Sequence, residues 1–223
     1  MKRILFILTL AATVLTGCKK DKFNYKESDL IGVWVHVESI VPGFYKTANA
    51  PFVLEFTKDH ELISYSDGSY ETFSWSIQGN QLLSSDKDGD RTAATINKLD
   101  GKHLTYSSAV DGGITETWIN IEKLLPGEWT AQWKKQAHYV TFSEDGRSAW
   151  AMADTGQSAG TYSWSIHVNI DKSRAVIVFT GEKWNDTETV ESASDEVVWV
   201  TNKDGGPGKY TRGKIENPGY LPE

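Results

Sequence analysis

Short stretches rich in β-branched and aromatic residues recur along most of the chain and predict β-strands. The clearest stretches are residues 32–37, 52–57, 71–77, 94–98, 113–121 and 174–180. Turn-forming pairs separate them, including Asp67-Gly68, Asp88-Gly89 and Asp145-Gly146. These residue types supply the positive φ angles that tight hairpins need. Turn signals at intervals of about 8–12 residues predict an all-β barrel or sandwich of antiparallel strands.

The second half of this pattern repeats the first. LIGVW at residues 30–34 matches LPGEW at 125–129, FTKD at 56–59 matches FSED at 142–145, and FSWSI at 73–77 matches YSWSI at 162–166. ETWI at 116–119 matches VVWV at 197–200 more loosely. Matches in a conserved order indicate an internal duplication of a unit of roughly 90 residues, with a boundary near residues 122–124.

The fold predicted from the repeat is all-β, with two small antiparallel β-barrels in tandem. The first barrel is expected at residues 29–122 and the second at 123–201. Residues 202–223 contain five of the 19 glycines and three of the six prolines, so an irregular C-terminal tail is predicted there. The alternative is one larger barrel or sandwich assembled from both copies.

The N-terminus predicts secretion and lipid attachment. A basic start is followed by an apolar run at residues 4–15, which is shorter than the ~20 residues that span a bilayer. Leu15-Thr16-Gly17-Cys18 resembles the bacterial lipobox, in which the cysteine is acylated and becomes the new N-terminus. Residues 1–17 are therefore predicted to be a lipoprotein signal peptide, Cys18 the lipidation site and 18–28 a tether. The residues after Cys18 favour the outer membrane, and its periplasmic face slightly over the cell surface.

A glycine two residues before a tryptophan opens the first strand of each copy, at Gly32 and Trp34 and again at Gly127 and Trp129. This pattern, followed by antiparallel strands with Asp-Gly turns, resembles lipocalin-like domains. Together with the lipobox it is similar to small lipocalin-like lipoproteins of Bacteroidetes-type bacteria. Eight short strands in each copy would enclose little more than their own side chains, or one small ligand. Lipocalin-like domains stack an arginine of the last strand on this tryptophan, and the sequence reveals no convincing arginine for either copy.

The nine tryptophans fall into two groups. Six pair across the copies and are predicted to fill the barrel cores: Trp34 with Trp129, Trp75 with Trp164, and Trp118 with Trp199. The other three lie in the second copy without a tryptophan partner and are the candidate ligand-binding residues: Trp133, Trp150 and Trp184. Aromatic faces at a barrel mouth suit flat apolar molecules or sugar rings.

Composition and motifs argue against several other classes of function. A net charge of −7 without a long basic run disfavours nucleic acid, and a single cysteine excludes a disulfide framework. Gly156-Gln157-Ser158-Ala159-Gly160 fits a hydrolase pattern formally, but a strand rather than a helix follows it. His36, on the strand face of Trp34, is expected inside the first barrel.

We therefore expect a non-catalytic envelope lipoprotein without cofactor or metal. Its expected partners are the membrane, through the N-terminal lipid, and a small hydrophobic, aromatic or glycan ligand of the second barrel. The alternative is an interaction module of an outer-membrane protein complex that has no small-molecule site.

Overall fold

A computed structural model describes residues 25–43, 45–108, 113–182 and 184–221. Cys18, the predicted signal peptide and most of the predicted tether lie outside these residues. In the described part of the chain, no helix has the length and apolar character needed to cross a bilayer.

The first half of the chain forms a closed antiparallel barrel. After α1 (Glu27–Leu30), its strands are β1 (Gly32–Val41), β2 (Tyr45–Ala48), β3 (Val53–Phe56), β4 (Glu61–Ser66), β5 (Ser69–Gln78), β6 (Gln81–Ser85), β7 (Arg91–Leu99), β8 (His103–Ser108) and β9 (Thr115–Asn120). β1 pairs with both β3 and β9, which closes eight strands into a ring. β2 is an additional hairpin strand that pairs with the second half of β1.

The second half forms another closed antiparallel barrel of eight strands. It follows α2 (Ile121–Leu124) and consists of β10 (Gly127–Gln132), β11 (Ala137–Phe142), β12 (Arg147–Met152), β13 (Ser158–Asn169), β14 (Arg174–Thr180), β15 (Asn185–Ala193), β16 (Val197–Asn202) and β17 (Pro207–Arg212). The chain is thus all-β with two tandem barrels, and a single larger barrel or sandwich is excluded. The predicted boundary at residues 122–124 falls within α2.

The C-terminal segment corrects one prediction. Residues 202–223 were expected to be irregular, but Pro207–Arg212 form β17, which pairs with both β16 and β10 and closes the second barrel. The glycines and prolines that suggested an irregular tail lie mostly in the β16–β17 turn and beyond β17. The predicted end of the barrel at residue 201 is therefore too early by one strand.

Strand register confirms the duplication and corrects its last match. Trp34 pairs with Asn120 on the closing strand of the first barrel, and Trp129 pairs with Arg212 in the second. Two residues further along each first strand, His36 pairs with Trp118 and Ala131 with Tyr210. The counterpart of Trp118 is therefore the buried Tyr210. Trp199 lies one strand earlier, on β16, so its pairing with Trp118 is wrong.

Four of the six tryptophans predicted in the core are fully or almost fully buried: Trp34, Trp75, Trp118 and Trp129. Trp164 is half-buried and packs against the core of the second barrel. Trp199 is 42% exposed, with Lys209 Nζ 5.6 Å from its ring centre, so the core prediction is wrong for this residue. Its strand, β16, turns this side chain toward solvent, because inward and outward positions alternate along a strand.

The first strand of each barrel begins in the same way. The indole Nε1 of Trp34 donates to the carbonyl of Leu30, and Trp129 donates to Leu125, both over 2.6 Å. Gly32 and Gly127 have φ angles of 128° and 127°, which side chains rarely adopt. A Cβ on Gly32 would also lie 2.7 Å from the amide of Asn120. Glycine is thus required by both backbone conformation and space.

Arg212 is the last-strand arginine that sequence reasoning missed. Its guanidinium carbon lies 3.7 Å from the centre of the Trp129 ring, and its two terminal nitrogens donate to the carbonyls of Leu124 and Pro126. Because β17 was not predicted, Arg212 was not placed on a strand. In the first barrel the same position holds Asn120, whose amide donates to the carbonyl of Ile31 over 3.1 Å.

Arg212→Ala is expected to destabilise the second barrel by about 1–3 kcal/mol. The substitution removes a cation–π contact and leaves the carbonyls of Leu124 and Pro126 without these donors. Urea unfolding followed by tryptophan fluorescence measures the loss. Arg147→Ala is the matched control, because Arg147 is exposed and pairs only locally with Asp145. Equal free energies of unfolding for the two variants would show that the stacked arginine does not contribute to the stability of the barrel.

The two barrels pack against each other through β1, which contacts β14 and β15. Trp34 points into the first barrel, whereas Val33 and Val35 face outward and belong to the same buried cluster as the core of the second barrel. Arg174 at the start of β14 donates to the carbonyl of Asn49 over 3.1 Å. The barrels are therefore separate in strand pairing but joined by a continuous apolar contact.

Candidate functional site

The second barrel is hollow at one end. A cavity of about 800 Å³ opens there, and its lining comes from the loops β10–β11, β14–β15 and β16–β17 and from the strand ends beside them. Trp129 and Arg212 close the opposite end, where β10 begins and β17 ends. The volume lies within the range of about 300–1,000 Å³ that is usual for small-molecule sites.

All three candidate tryptophans line this cavity. Trp133 follows β10, and its ring stacks on that of Trp150 with centres 5.9 Å apart and planes inclined by 23°. Trp150 lies within β12, which follows the Asp145-Gly146 turn, and is almost fully buried. Trp184 lies in the β14–β15 loop and is 37% exposed, with its ring 4.8 Å from that of Tyr162. Together the rings form an aromatic wall.

Glycines on neighbouring strands make room for these rings. A Cβ at Gly208 of β17 would lie 2.5 Å from the indole nitrogen of Trp133. A Cβ at Gly160 or at Gly181 would lie 2.6 Å from atoms of Tyr162. Such distances are shorter than van der Waals contact, so any larger residue would displace an aromatic side chain from the cavity wall.

A buried carboxyl group lies deeper in the cavity. Glu188 of β15 is 2% exposed, and its Oε2 accepts a hydrogen bond of 2.6 Å from the hydroxyl of Tyr210. Burial is the main cause that raises the pKa of Glu188 to about 8, and the negative charge of Asp186 adds to it. Burial and the neighbouring Glu188 likewise raise the pKa of the Tyr210 hydroxyl. Glu188 is therefore largely protonated at neutral pH.

His138 of β11 is a second buried polar group of the cavity lining. It is 8% exposed, and its ring makes edge contacts with Trp133 and Trp150. Its Nδ1 has no hydrogen-bond partner among the described residues. Burial lowers the pKa of His138, and Asp154 partly offsets this effect. An unpaired buried nitrogen is costly, so a hydrogen-bond partner for Nδ1 would stabilise this side chain.

The corresponding positions of the first barrel carry different side chains. Following the strand pairs from Trp34 and Trp129 around each barrel places Ser64 at the position of Trp150 and Ala94 at that of Glu188. The first barrel has a smaller cavity of about 400 Å³, lined mainly by apolar side chains. There the hydroxyl of Tyr106 donates to Glu116. The aromatic wall and the buried Glu188 thus distinguish the second barrel.

Other polar candidates have structural partners. His36 is buried in the first barrel, where its Nδ1 accepts from the amide of Ala50 and its Nε2 bonds to Ser39. Ser158, of the formal hydrolase pattern, is the first residue of β13 and lies in a hairpin. Among the described residues, no group of three or more His, Cys, Asp and Glu side chains is arranged to hold a metal ion.

Comparison with protein-family models gives no match, and comparison with curated proteins gives no significant one. Among solved structures, a DUF3598-family protein of unknown function from Nostoc punctiforme aligns over 86% of this chain and 99% of its own. The identity is 11% and the TM-score 0.19. A similarity at this level supports no inference about either fold or function, so the fold rests on the strand pairing described above.

Sequence reasoning identified three tryptophans of this cavity lining but missed Glu188, His138 and Tyr162. The sequence did contain a signal for Glu188. It lies two residues before Val190 on the same strand, so both side chains point inward. An acid at an inward position of a strand is unusual and marks a candidate site. His138 carried no such signal, because it is only the second residue of its strand and the alternation of inward and outward positions is not yet established there.

Proposed function

We propose that the chain is a non-catalytic lipoprotein of the bacterial envelope whose second barrel binds a small hydrophobic, aromatic or glycan ligand. The observation that carries the proposal is that Trp133, Trp150 and Trp184, which have no tryptophan counterparts in the first copy, line one cavity. Indole faces offer large apolar surfaces to flat rings, and the buried polar groups beside them can fix a ligand's orientation.

The cellular location is part of the same proposal. The lipobox-like sequence that ends at Cys18 supports acylation of that cysteine, and two or three acyl chains give stable membrane attachment. We place the protein at the outer membrane, with the periplasmic face slightly favoured over the cell surface.

A panel of hydrophobic, aromatic and glycan compounds is expected to change the tryptophan fluorescence of the intact protein. The response should disappear when Trp150→Ala and Trp184→Ala are combined, because the aromatic wall is then lost. Trp199→Ala is the matched control, since Trp199 belongs to the same barrel but lies on its outer surface. A response that survives in the double variant, or no response from any compound, would count against the proposal.

The second candidate function is an interaction module without a small-molecule site. β2 favours it, because this strand pairs with β1 on one side and all four of its residues are exposed. An extended segment of a partner could add to its outer edge. Cross-linking in cells that recovers a stoichiometric partner, together with no bound molecule in native mass spectrometry, would favour this function over ligand binding.

A further inference from the structure

We propose that the ligand of the second barrel carries a positively charged ammonium group on an apolar or aromatic body, with the charge held between the aromatic wall and Glu188. The inference rests on the proposed function and names the chemical class of its ligand.

The first argument is the combination of groups that the cavity brings together. Trp133, Trp150, Tyr162 and Trp184 present aromatic rings to the space that Glu188 also lines. A ring face attracts a cation through its quadrupole, and this attraction increases when water is excluded. A carboxyl group beside such rings supplies the negative charge that an ammonium group needs inside a low-dielectric site. A neutral apolar ligand would require no acid at this depth.

The second argument is that the two acids of β15 have no acidic counterparts at the matching strand positions of the first barrel. Asp186 and Glu188 of β15 correspond to Thr92 and Ala94 of β7 in the first barrel. The same strand position is therefore compatible with a small uncharged side chain in this fold. Burying a carboxyl group costs free energy, so a structural role alone does not account for Glu188.

The third argument concerns the other charges of the lining. Lys134 and Lys135 lie in the exposed β10–β11 loop, and Asp204 is exposed in the β16–β17 turn. Solvent and salt screen these charges at the mouth. The lining also contains Asp186, which is 3.8 Å from Lys203, the buried Glu188, and His138, whose Nδ1 has no partner among the described residues. Burial lowers the pKa of His138 and disfavours its cationic form, so the carboxyl groups are the groups of the interior lining that can carry charge.

Binding of such a ligand should be coupled to proton release. Without a cation, Glu188 holds its proton at neutral pH, and an adjacent ammonium group favours the carboxylate. The affinity for a cation is therefore expected to rise as pH increases from about 6 to 9, whereas the affinity for a neutral compound of the same shape should stay constant.

Three compounds of similar shape and different charge test the inference: phenethylamine, propylbenzene and hydrocinnamate. Tryptophan fluorescence of the intact protein gives their dissociation constants. Phenethylamine is expected to bind at least about tenfold more tightly than propylbenzene, and hydrocinnamate more weakly than either. Glu188→Gln should abolish the preference for phenethylamine and its pH dependence while leaving propylbenzene unaffected. Glu116→Gln, in the cavity of the first barrel, is the matched control and should change none of the three.

The outcomes separate the two proposals. Equal binding of phenethylamine and propylbenzene would overturn the ammonium class but support a ligand site in the second barrel. A preference for phenethylamine that persists in Glu188→Gln would show that this carboxyl group does not hold the charge and would also overturn the inference. Binding of none of the three, with no response from the broader panel, would overturn the proposed function itself. Thermal unfolding of Glu188→Gln checks that the variant is folded.

Discussion

Trp129→Ala is expected to lower the free energy of unfolding by about 3–5 kcal/mol, a large part of the roughly 5–15 kcal/mol that stabilises a typical domain. The indole is completely buried, lies under the Arg212 guanidinium and donates to the carbonyl of Leu125. Truncation would leave a cavity at the closed end of the second barrel and remove the partner of Arg212. Urea unfolding, monitored by circular dichroism to avoid the lost tryptophan signal, measures the effect.

Trp199→Ala is the control for this prediction, because it removes the same side chain from an exposed position of the same barrel. It should change stability by less than about 1 kcal/mol. If Trp129→Ala unfolded like the wild type but lost a bound molecule, Trp129 would have to be reassigned from the core to a ligand site. Trp34→Ala should have a comparable effect on the first barrel, since its indole has the same burial and the same kind of hydrogen bond.

Glu188→Gln is expected to remove much of the loss of stability that the wild type shows as pH rises. Folding raises the pKa of Glu188 from 4.5 to about 8. Below pH 4.5 the carboxyl is protonated in both states, whereas between these two pH values only the unfolded chain releases the proton. Folded stability therefore falls as pH rises through this window, by up to about 5 kcal/mol at about 1.4 kcal/mol per pKa unit.

The glutamine variant keeps an acceptor for the hydroxyl of Tyr210 but cannot ionise, so its advantage over the wild type should grow from pH 5 to pH 9. Urea unfolding at several pH values measures this difference. Glu144→Gln is the control, because Glu144 is exposed in the β11–β12 turn and should leave the pH profile unchanged. Parallel profiles for the wild type and Glu188→Gln would show that the buried carboxyl is not the group responsible.

Much of the fold was predictable because strand and turn residues follow local rules. Alternation, Asp-Gly turns and the repeated Gly-x-Trp pattern were sufficient for two tandem barrels. The closing strand of the second barrel was missed, because β17 begins with Pro207 and Gly208, two residues that disfavour strands. Proline is tolerated at the first position of a strand, and Gly208 is needed to accommodate Trp133. The residues of β17 thus have low strand propensity, although this strand is needed to close the barrel.

The candidate site was predictable only in part, because its members come from strands far apart in sequence. The surplus tryptophans could be identified by comparing the two copies. The wrong pairing of Trp118 with Trp199 had one physical cause: both strands resemble each other locally, and only strand register distinguishes the last strand from the one before it. Glu188 and Tyr210 are 22 positions apart and meet through the pairing of β15, β16 and β17.

The contacts between the barrels also determine the direction in which the cavity opens. Ser173, Arg174 and Asp195 of the second barrel bond to Gly68, Asn49 and His103 of the first. These three residues lie in or beside the β13–β14 and β15–β16 turns, at the end opposite the cavity mouth. Together with the apolar contact through β1, these bonds hold the second barrel in one orientation relative to the first. The contact region and the mouth are at opposite ends of the second barrel, so entry of a molecule would not require the barrels to separate.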